Sequence, residues 1–189
     1  MNELVTKGQS MQVWLQIADL IDRLSIWLGR LATWCVFIAC MVSAINAGIR
    51  YTFDSSSNAW LEMQWYLFAV TVMFGAGWVL KLNEHVRVDV IYGSRAPRTK
   101  ALIDLLGLII FLMPMCLLMV WMSWPLALDS WTTKEVSSNA GGLIRWPVKL
   151  MIPVGFAFLA LQGVAEIIRR IAYLAGLHHM DIAYERPLQ

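Results

Sequence analysis

The stretch LLGLIIFLMPMCLLMVWMSWPLAL, residues 105–128, decides the fold of this chain. It contains no charged side chain, and its apolar residues occupy every side of a helix drawn through it. A helix of a soluble protein would keep one polar face, so the pattern indicates a helix surrounded by lipid. About 20 mostly apolar residues suffice to cross the ~30 Å hydrocarbon core of a bilayer. The stretch therefore predicts a membrane-spanning helix.

Three other charge-free stretches, residues 31–49, 63–80 and 150–165, lead to the same prediction. Long polar side chains at helix ends can reach the interface, so each span can extend beyond its charge-free part. The predicted spans are residues 26–49, 60–81, 101–128 and 146–168. We expect Pro114 to kink the third span because proline lacks an N–H group, whereas Pro147 fits the first turn of the fourth. The predicted fold class is an all-α integral membrane protein, with residues 1–189 forming one membrane domain.

Composition supports the membrane class and excludes several functions. The chain is 59% hydrophobic and 15% charged, against about 45–50% and about 25% in soluble domains. A net charge of +2 without a basic run does not fit a nucleic-acid partner. The three cysteines lie inside apolar stretches and form no C-x-x-C pair, so neither a disulfide framework nor a zinc site is predicted. We expect no metal and no cofactor.

The distribution of lysine and arginine predicts the orientation. Most of these residues lie before span one, between spans two and three, and after span four. Basic residues concentrate on the cytoplasmic side of membrane proteins. Both termini are therefore predicted to be cytoplasmic, with residues 171–189 as a cytoplasmic tail. The opposite side has only Arg50, Lys134, Arg145 and Lys149.

Residues 11–25 show a two-sided pattern that the spans lack. Apolar residues recur at helical spacing, and polar residues occupy the other face. The pattern predicts an N-terminal amphipathic helix lying in the cytoplasmic interface. The alternative is a helix that simply continues span one. The apolar face comprises Trp14, Ile17, Ala18, Ile21 and Leu24, and the polar face comprises Gln12, Gln16, Asp19, Asp22 and Arg23.

Few residues of the spans could support catalysis, haem binding or ion transport. No nucleophile-elbow, metalloprotease or P-loop motif occurs. His85, His178 and His179 all lie outside the charge-free stretches, which argues against a haem-binding membrane-anchor subunit of a redox enzyme, the alternative function. Transport sites need polar groups near the bilayer midplane, where only Thr71 lies. The pattern indicates an accessory subunit that is not an enzyme.

Glu62 is the intramembrane charge that we single out, near the outer end of span two. It lies two residues after Trp60 and two residues before Gln64. One interpretation is a hydrogen bond or ion pair with a partner subunit. The other is an interfacial acid that faces outer water or pairs with Arg50.

Three segments resemble the small membrane subunit of TRAP (tripartite ATP-independent periplasmic) transporters. They are WLEMQWYLFAVTVMFGAGWVLK at 60–81, NEHVRVDV at 83–90 and TTKEVSSNAGGLIRWPVKLMIPVGFAFLAL at 132–161. The likeness extends over roughly residues 31–170. One departure is Lys134, which precedes Glu135 where glycine is more usual.

The resemblance implies a function that the residues alone do not. Small subunits of this family accompany a large multi-span membrane subunit, which carries the substrate and sodium sites and moves as an elevator. A periplasmic binding protein delivers the substrate, typically an organic acid, and the complex lies in the bacterial inner membrane. The small subunit is expected to brace the large one. The candidate interface or structural residues are Glu62, Gln64, Glu84, His85, Arg87, Asp89, Glu135 and Trp146.

Overall fold

Four long helices contain almost all the described residues of the chain. The computed structural model describes residues 2–55, 57–83 and 95–179, with side chains from Met11 onward. The helices are α1 (Asn2–Phe53), α2 (Asn58–Leu82), α3 (Pro97–Thr132) and α4 (Trp146–Leu174). All four are long and apolar enough to cross a bilayer, which confirms the predicted all-α membrane fold with four spans. Which end faces the cytoplasm stays a prediction.

Local sequence explains where the helices begin and end. Asn83 closes α2 in the left-handed conformation, with φ 60°, and donates its N–H to Leu80 O over 3.1 Å. Asparagine tolerates this conformation better than most residues. Gly176, with φ +75°, ends α4 and donates to Tyr173 O over 3.0 Å. Pro147 lies in the first turn of α4 as predicted, where its missing N–H leaves no carbonyl unpaired.

The helices are longer than the predicted spans. α3 begins at Pro97 and ends at Thr132, and α4 continues to Leu174 instead of ending near residue 168. The predicted spans included only residues that can lie in the hydrocarbon core or reach its edge. Charged residues beyond that limit stay helical because they pair with one another across the bundle, as described below.

A π-helical turn interrupts α3 at Leu108–Leu112. Met113 donates its N–H to Leu108 O, one residue further back than in an α-helix, and Pro114 follows immediately. A proline ring clashes with the carbonyl four residues before it in a regular helix. The wider turn relieves that clash, so the predicted disturbance at Pro114 takes the form of a π-turn. Pro125 lies further along the same helix.

The amphipathic segment 11–25 lies within the N-terminal half of α1. It is helical as predicted, but it joins span one without a break, so of the two interpretations the structure shows the continuation. The bundle covers neither of the two predicted faces as a whole. Trp14, Ile17 and Leu24 are exposed, whereas Ala18 is fully buried and Asp22 packs against the other helices. The physical reason is that Asp22 finds cationic partners on α2 and α4.

Helix α4 is central to the bundle. It packs against α1, α2 and α3, whereas α3 makes nearly all of its helix contacts with α4. Gly155 allows α2 to approach, since a Cβ there would lie 2.5 Å from Met73 Cβ. Phe74 and Phe158 pack edge to face, with ring centroids 5.7 Å apart. Small residues and shape matching drive association in lipid, where burial of apolar surface gains little.

The helices alternate in direction, so the bundle has two distinct ends. Asp22 of α1 lies beside Lys81 near the end of α2, and Asp19 lies beside Arg169 near the end of α4. We call this the Arg169 end. The start of α1 and the end of α4 therefore lie at the same end. The opposite end, called the loop end, carries residues 133–145 between α3 and α4.

Candidate functional site

Glu62 lies at the loop end and is bonded within the chain. It is in the second turn of α2 and is 3% exposed. Its carboxylate accepts hydrogen bonds from Ser137 Oγ, from Asn139 Nδ2 at 2.8 Å and from the Leu143 N–H at 2.7 Å. We call Glu62 and these three donors the Glu62 cluster. The carboxylate therefore holds the loop at three points, in an environment that neither interpretation of Glu62 had included.

Residues 133–145 fold back on themselves beside this carboxylate. Ser137 donates its N–H to Leu143 O over 2.9 Å, and Arg145 donates to Glu135 O over 2.9 Å. These bonds surround an isolated antiparallel bridge between residues 136 and 144. Gly142 is required at the turn, because a Cβ there would overlap the Ser137 side chain. The fold of the loop thus brings three separated donors to one carboxylate.

Two other side chains of α2 hold the loop. Tyr66 donates its hydroxyl to Ile144 O over 2.8 Å, and Asn58 Nδ2 donates to Ala140 O over 3.1 Å. Arg145 Nη2 lies 3.4 Å from Ser137 Oγ and brings a positive charge near the Glu62 cluster. The loop connects α3 to α4, yet α2 fixes its position. The loop therefore connects α2, which makes few contacts with α3, to the α3–α4 pair.

Glu135 and Trp146 lie where the loop joins α3 and α4. Glu135 forms an ion pair with Lys149, and the hydrogen bond from Lys149 lowers the pKa of the Glu135 carboxyl below its ordinary value of 4.5. Trp146 begins α4 and packs edge to face on Trp131, with ring centroids 4.4 Å apart. Such ring pairs add specific geometry to the area they bury. Both contacts fix the angle at which the chain enters α4.

Asp22 is the centre of a second polar cluster, at the Arg169 end. Its Oδ2 lies 2.7 Å from Arg169 Nη2 and 3.2 Å from Lys81 Nζ. Its Oδ1 accepts hydrogen bonds from Gln162 Nε2 at 3.0 Å and from Arg169 Nη1 at 3.1 Å. The arginine thus binds the carboxylate with both terminal nitrogens, the strongest geometry for this pair. One carboxylate of α1 is joined to a cation of α2 and to two side chains of α4.

Gln162 and Glu166 extend this cluster into the interior of the bundle. Gln162 is fully buried, and its Oε1 accepts a hydrogen bond from Ser25 Oγ at 2.6 Å. Glu166 is also buried and pairs with Arg169 at 3.2 Å and with Arg170. Two arginines therefore neutralise its charge inside the protein. We call Asp22, Lys81, Gln162, Glu166 and Arg169 the Asp22 cluster.

Arg170 connects the Asp22 cluster to α3. Its side chain is 7% exposed, and its Nη2 lies 3.4 Å from Asp104 Oδ2. Arg98, in the first turn of α3, donates to Leu174 O over 3.1 Å. Charged groups therefore join all four helices at this end. Burying an unpaired charge in a low-dielectric environment is costly, so these groups fix one arrangement of the helices.

The predicted site residues fall into two groups. Four of them lie at the loop end. Glu62 binds the loop, Glu135 is in the loop and pairs with Lys149 of α4, and Gln64 is half-buried on another side of α2. The fourth is Trp146, the first residue of α4. Their role at a subunit interface stays a prediction. Glu84, His85, Arg87 and Asp89 lie outside the described residues.

Sequence reasoning missed the Asp22 cluster. A signal was present, since Gln162, Glu166 and Arg170 follow one another at four-residue intervals and so share one face of an otherwise apolar helix. Asp19 and Asp22 share a face of α1 in the same way. A polar stripe on one helix of a membrane bundle predicts a partner stripe on another helix.

Both clusters have the character of structural contacts. Their carboxylates are occupied by cations, amides and hydroxyls of the same chain. Between the clusters, Thr71 donates to Leu67 O of its own helix over 2.9 Å and lies 3.4 Å from Ala32 O. Over the described ranges, no group of three or more His, Cys, Asp or Glu residues could hold a metal ion. The chemistry available at both ends is therefore the joining of helices and loop.

Comparison with protein families agrees with the resemblance found in the sequence. A family model described as "Tripartite ATP-independent periplasmic transporters, DctQ component" matches residues 39–172, well over half of the chain. Searches among curated proteins and solved structures give no match. The matched range runs from the middle of α1 almost to the end of α4 and includes the Glu62 cluster. The chain therefore belongs to the family of DctQ components, the small membrane subunits of tripartite ATP-independent periplasmic transporters.

Proposed function

We propose that this chain is a non-catalytic small permease subunit that braces a large elevator-type membrane subunit during uptake of an organic acid. The complex would use an ion gradient, with sodium as the coupling ion, and a periplasmic binding protein would deliver the substrate. Family membership supports the partnership with a large membrane subunit and a binding protein. The finer features come from the family resemblance of the sequence.

The observation that carries this proposal is that polar side chains at both ends of the bundle bind one another. Asp22 is shared between Arg169 and Lys81, and the Glu62 carboxylate is occupied by its three loop donors. Carboxylates engaged in this way hold helices together instead of binding a substrate. The apolar exterior of the four helices suits a bilayer and a membrane-embedded partner. A rigid support in a membrane needs both polar groups that are bonded within the chain and an apolar exterior.

The proposed orientation follows the positive-inside rule. Both termini and the Arg169 end would face the cytoplasm, and the loop end would face the periplasm. The complex would lie in the bacterial inner membrane. In this arrangement the loop of residues 133–145 lies on the side where the binding protein arrives, and the segment with His85 lies on the cytoplasmic side.

The loop after α2 is proposed as a cytoplasmic contact of the complex. Arg87 would meet a lipid phosphate or a carboxylate, and Asp89 or Glu84 would tie the loop to neighbouring helices or to the large subunit. We expect Arg87→Ala or Asp89→Ala to weaken assembly or transport without changing substrate preference. A variant that assembles normally but prefers another substrate would contradict this role.

An uptake assay in proteoliposomes tests the proposed function. The large membrane subunit, this chain and the binding protein are reconstituted together, and uptake of a radiolabelled dicarboxylate and of sialic acid is followed under an inward sodium gradient. We expect uptake to require all three proteins and the gradient. Uptake of an organic acid by this chain without the large subunit would refute the supporting role.

A further inference from the structure

Helix α1 has a second apolar stripe that no part of the described chain covers. Its positions alternate in steps of four and three residues, the repeat by which one helix packs along another. All of them are exposed except Leu31, which is half-buried. The stripe comprises Val13, Ile17, Leu20, Leu24, Trp27, Leu31, Trp34, Ile38, Met41 and Ile45. We call it the outer stripe.

The opposite side of α1 shows what the same repeat does when it is covered. That side packs on α2 and α4 through positions with the same alternating steps, among them Ala18, Ser25 and Ala32, which are all buried. Met11, Leu15, Asp22 and Gly29 complete the series. One helix thus carries two stripes of the same period, and one of them forms a helix–helix contact within the chain. The outer stripe has the geometry of a second contact of this kind.

The outer stripe extends further than the hydrocarbon of a bilayer can cover. Val13 and Ile45 are separated by about 48 Å at 1.5 Å per residue, against a hydrocarbon thickness of about 30 Å. Asp22 lies at the level where charged side chains of three helices meet, because it is bonded to Lys81 and Arg169. Leu20, 67% exposed, lies close to that level, whereas Ile17 and Val13 lie about 8 and about 14 Å beyond it along the helix. Lipid chains that end near the charged level leave Ile17 and Val13 uncovered.

A membrane surface does not account for this part of the stripe. To lie in the interface, residues 11–25 would have to leave the bundle axis. The structure shows them continuous with span one and bonded to α4 through Asp22 and Asp19. Isolated exposed apolar residues are ordinary, but a continuous stripe marks a binding surface. The occupant must cross the bilayer and also continue beyond it.

Helix α3 provides an internal comparison. It also exposes many apolar residues, including Phe111, which is 74% exposed. Those residues are distributed around the helix and extend no more than two residues beyond Asp104 and Asp129, as with Leu102, Ile103 and Trp131. They form no stripe that runs far past the charged residues at the helix ends. The outer stripe of α1 differs because it continues past the charged level.

Charge beside the stripe distinguishes the possible protein partners. Arg23 and Arg30 are exposed and flank the stripe at equivalent positions, seven residues apart. A second copy of this chain in the same membrane would place its α1 parallel, and such a pair would set Leu28 and Cys35 against Arg23 and Arg30, although the bundle buries both of those apolar side chains. A different helix with carboxylates at the flanking positions would satisfy both charges. The charges therefore favour an unlike partner.

We propose that the outer stripe of α1 is the surface that docks on a helix of the large membrane subunit, including a part beyond the bilayer. This rests on the proposed function, because it takes the partner from it. The partner helix would cross the membrane, pack along α1 in a left-handed pair, and place acidic side chains near Arg23 and Arg30. The contact would continue past the level of Asp22.

Site-specific photocrosslinking tests the surface. Benzoylphenylalanine is placed at Leu20, or at Phe111 as the control, in chains co-expressed with the epitope-tagged large subunit and with a second, differently tagged copy of this chain. We expect illumination at Leu20 to give an adduct carrying the tag of the large subunit, and Phe111 to give at least about tenfold less. An adduct at Leu20 with the second copy, or no adduct at Leu20 while the large subunit co-purifies, overturns the docking surface and leaves the proposed function intact. If the unmodified chain fails to co-purify with the large subunit, the proposed function fails as well.

Charge substitutions provide a second measurement. We expect Ile17→Glu with Leu20→Glu to reduce the amount of co-purified large subunit about tenfold or more, since each substitution would place an unpaired charge in an apolar contact. Leu177→Glu, at an exposed apolar position after the end of α4, is the matched control and should leave co-purification unchanged. Unchanged thermal stability of the double variant in detergent shows that the bundle is intact. Normal co-purification by the double variant overturns the proposal.

Discussion

Removal of the Asp22 carboxylate should separate α1 from both of its neighbours at the Arg169 end. The side chain is 13% exposed and is contacted by two nitrogens of Arg169, by Lys81 and by Gln162. Asp22→Ala would leave a guanidinium and an ammonium without their shared partner. It would also leave the buried Gln162 amide without one of its hydrogen-bond acceptors. The structure therefore makes this one of the most destabilising single changes at that end of the bundle.

The magnitude follows from what remains after the substitution. Breaking a buried ion pair by removing one partner costs about 3–5 kcal/mol. Arg169 would keep Glu166 and Asp19, and Lys81, at 24% side-chain exposure, would recover some hydration. We therefore expect Asp22→Ala to lower the free energy of unfolding by about 2–3 kcal/mol. Asp22→Asn keeps two of the hydrogen bonds and should cost about 1–2 kcal/mol.

Asp19 is the matched control because it lies one turn away and contacts the same arginine. Its side chain is 68% exposed, and its one ion pair with Arg169 is 3.3 Å long. Exposed pairs of this kind contribute about 0–1 kcal/mol, so Asp19→Ala should have a small effect. The measurement is equilibrium unfolding in mixed micelles, followed by tryptophan fluorescence. Equal losses for Asp19→Ala and Asp22→Ala would refute the assignment of Asp22 as the joining group.

Three further perturbations test other contacts of the bundle. Glu62→Ala should release the 133–145 loop and increase its cleavage by trypsin in detergent several-fold, whereas Gln64→Ala should not; equal cleavage rates would contradict the role of the carboxylate. The pKa of the Glu135 carboxyl is lowered in the folded chain. Its ion pair with Lys149 should therefore stabilise the loop at a pH above 4.5, the ordinary pKa of this group, and this contribution should be lost as the pH falls below that value. Limited proteolysis across that range with an acid-active protease should show a smaller change in Glu135→Gln than in the parent chain, since the Glu62 carboxylate holds the same loop in both. Gly155→Leu should lower the midpoint of thermal unfolding in detergent, since α2 has no room for a side chain there, whereas Gly48→Leu, where a Cβ would meet nothing within 4 Å, should leave it within error.

The four spans were predictable because a segment can cross the bilayer only if it contains enough consecutive uncharged residues, and this can be counted along the sequence. The stretch 105–128 meets that requirement by itself. The same test could not find where the helices end. Arg170 and Asp104 are too polar for hydrocarbon, but they remain in helices because each finds a partner on a neighbouring helix. Span length depends on lipid, whereas helix length depends on packing.

The face of α1 that the bundle covers could not be predicted from hydrophobic periodicity. The sequence showed an apolar face with Trp14, Ile17 and Leu24 and a polar face with Asp22. The bundle covers the border between the two faces, where Ala18 is fully buried and Asp22 reaches Arg169 and Lys81, while most of the polar face stays exposed. In water the apolar face would pack inward, but in a membrane hydrophobicity gives little preference between lipid and protein. Polar pairing therefore decides which face turns inward.

The sequence by itself determined the class of the protein, the number of spans and the family to which it belongs, because these depend on composition and on short local motifs. Only the tertiary structure showed that Glu62 holds the 133–145 loop and that Asp22 joins three helices. The physical reason is distance along the chain. Glu62 and Leu143, or Asp22 and Arg169, come together only when the helices pack, and no local pattern specifies which distant donor meets which acceptor. In a bilayer those few polar contacts, more than the abundant apolar ones, select the arrangement of the helices.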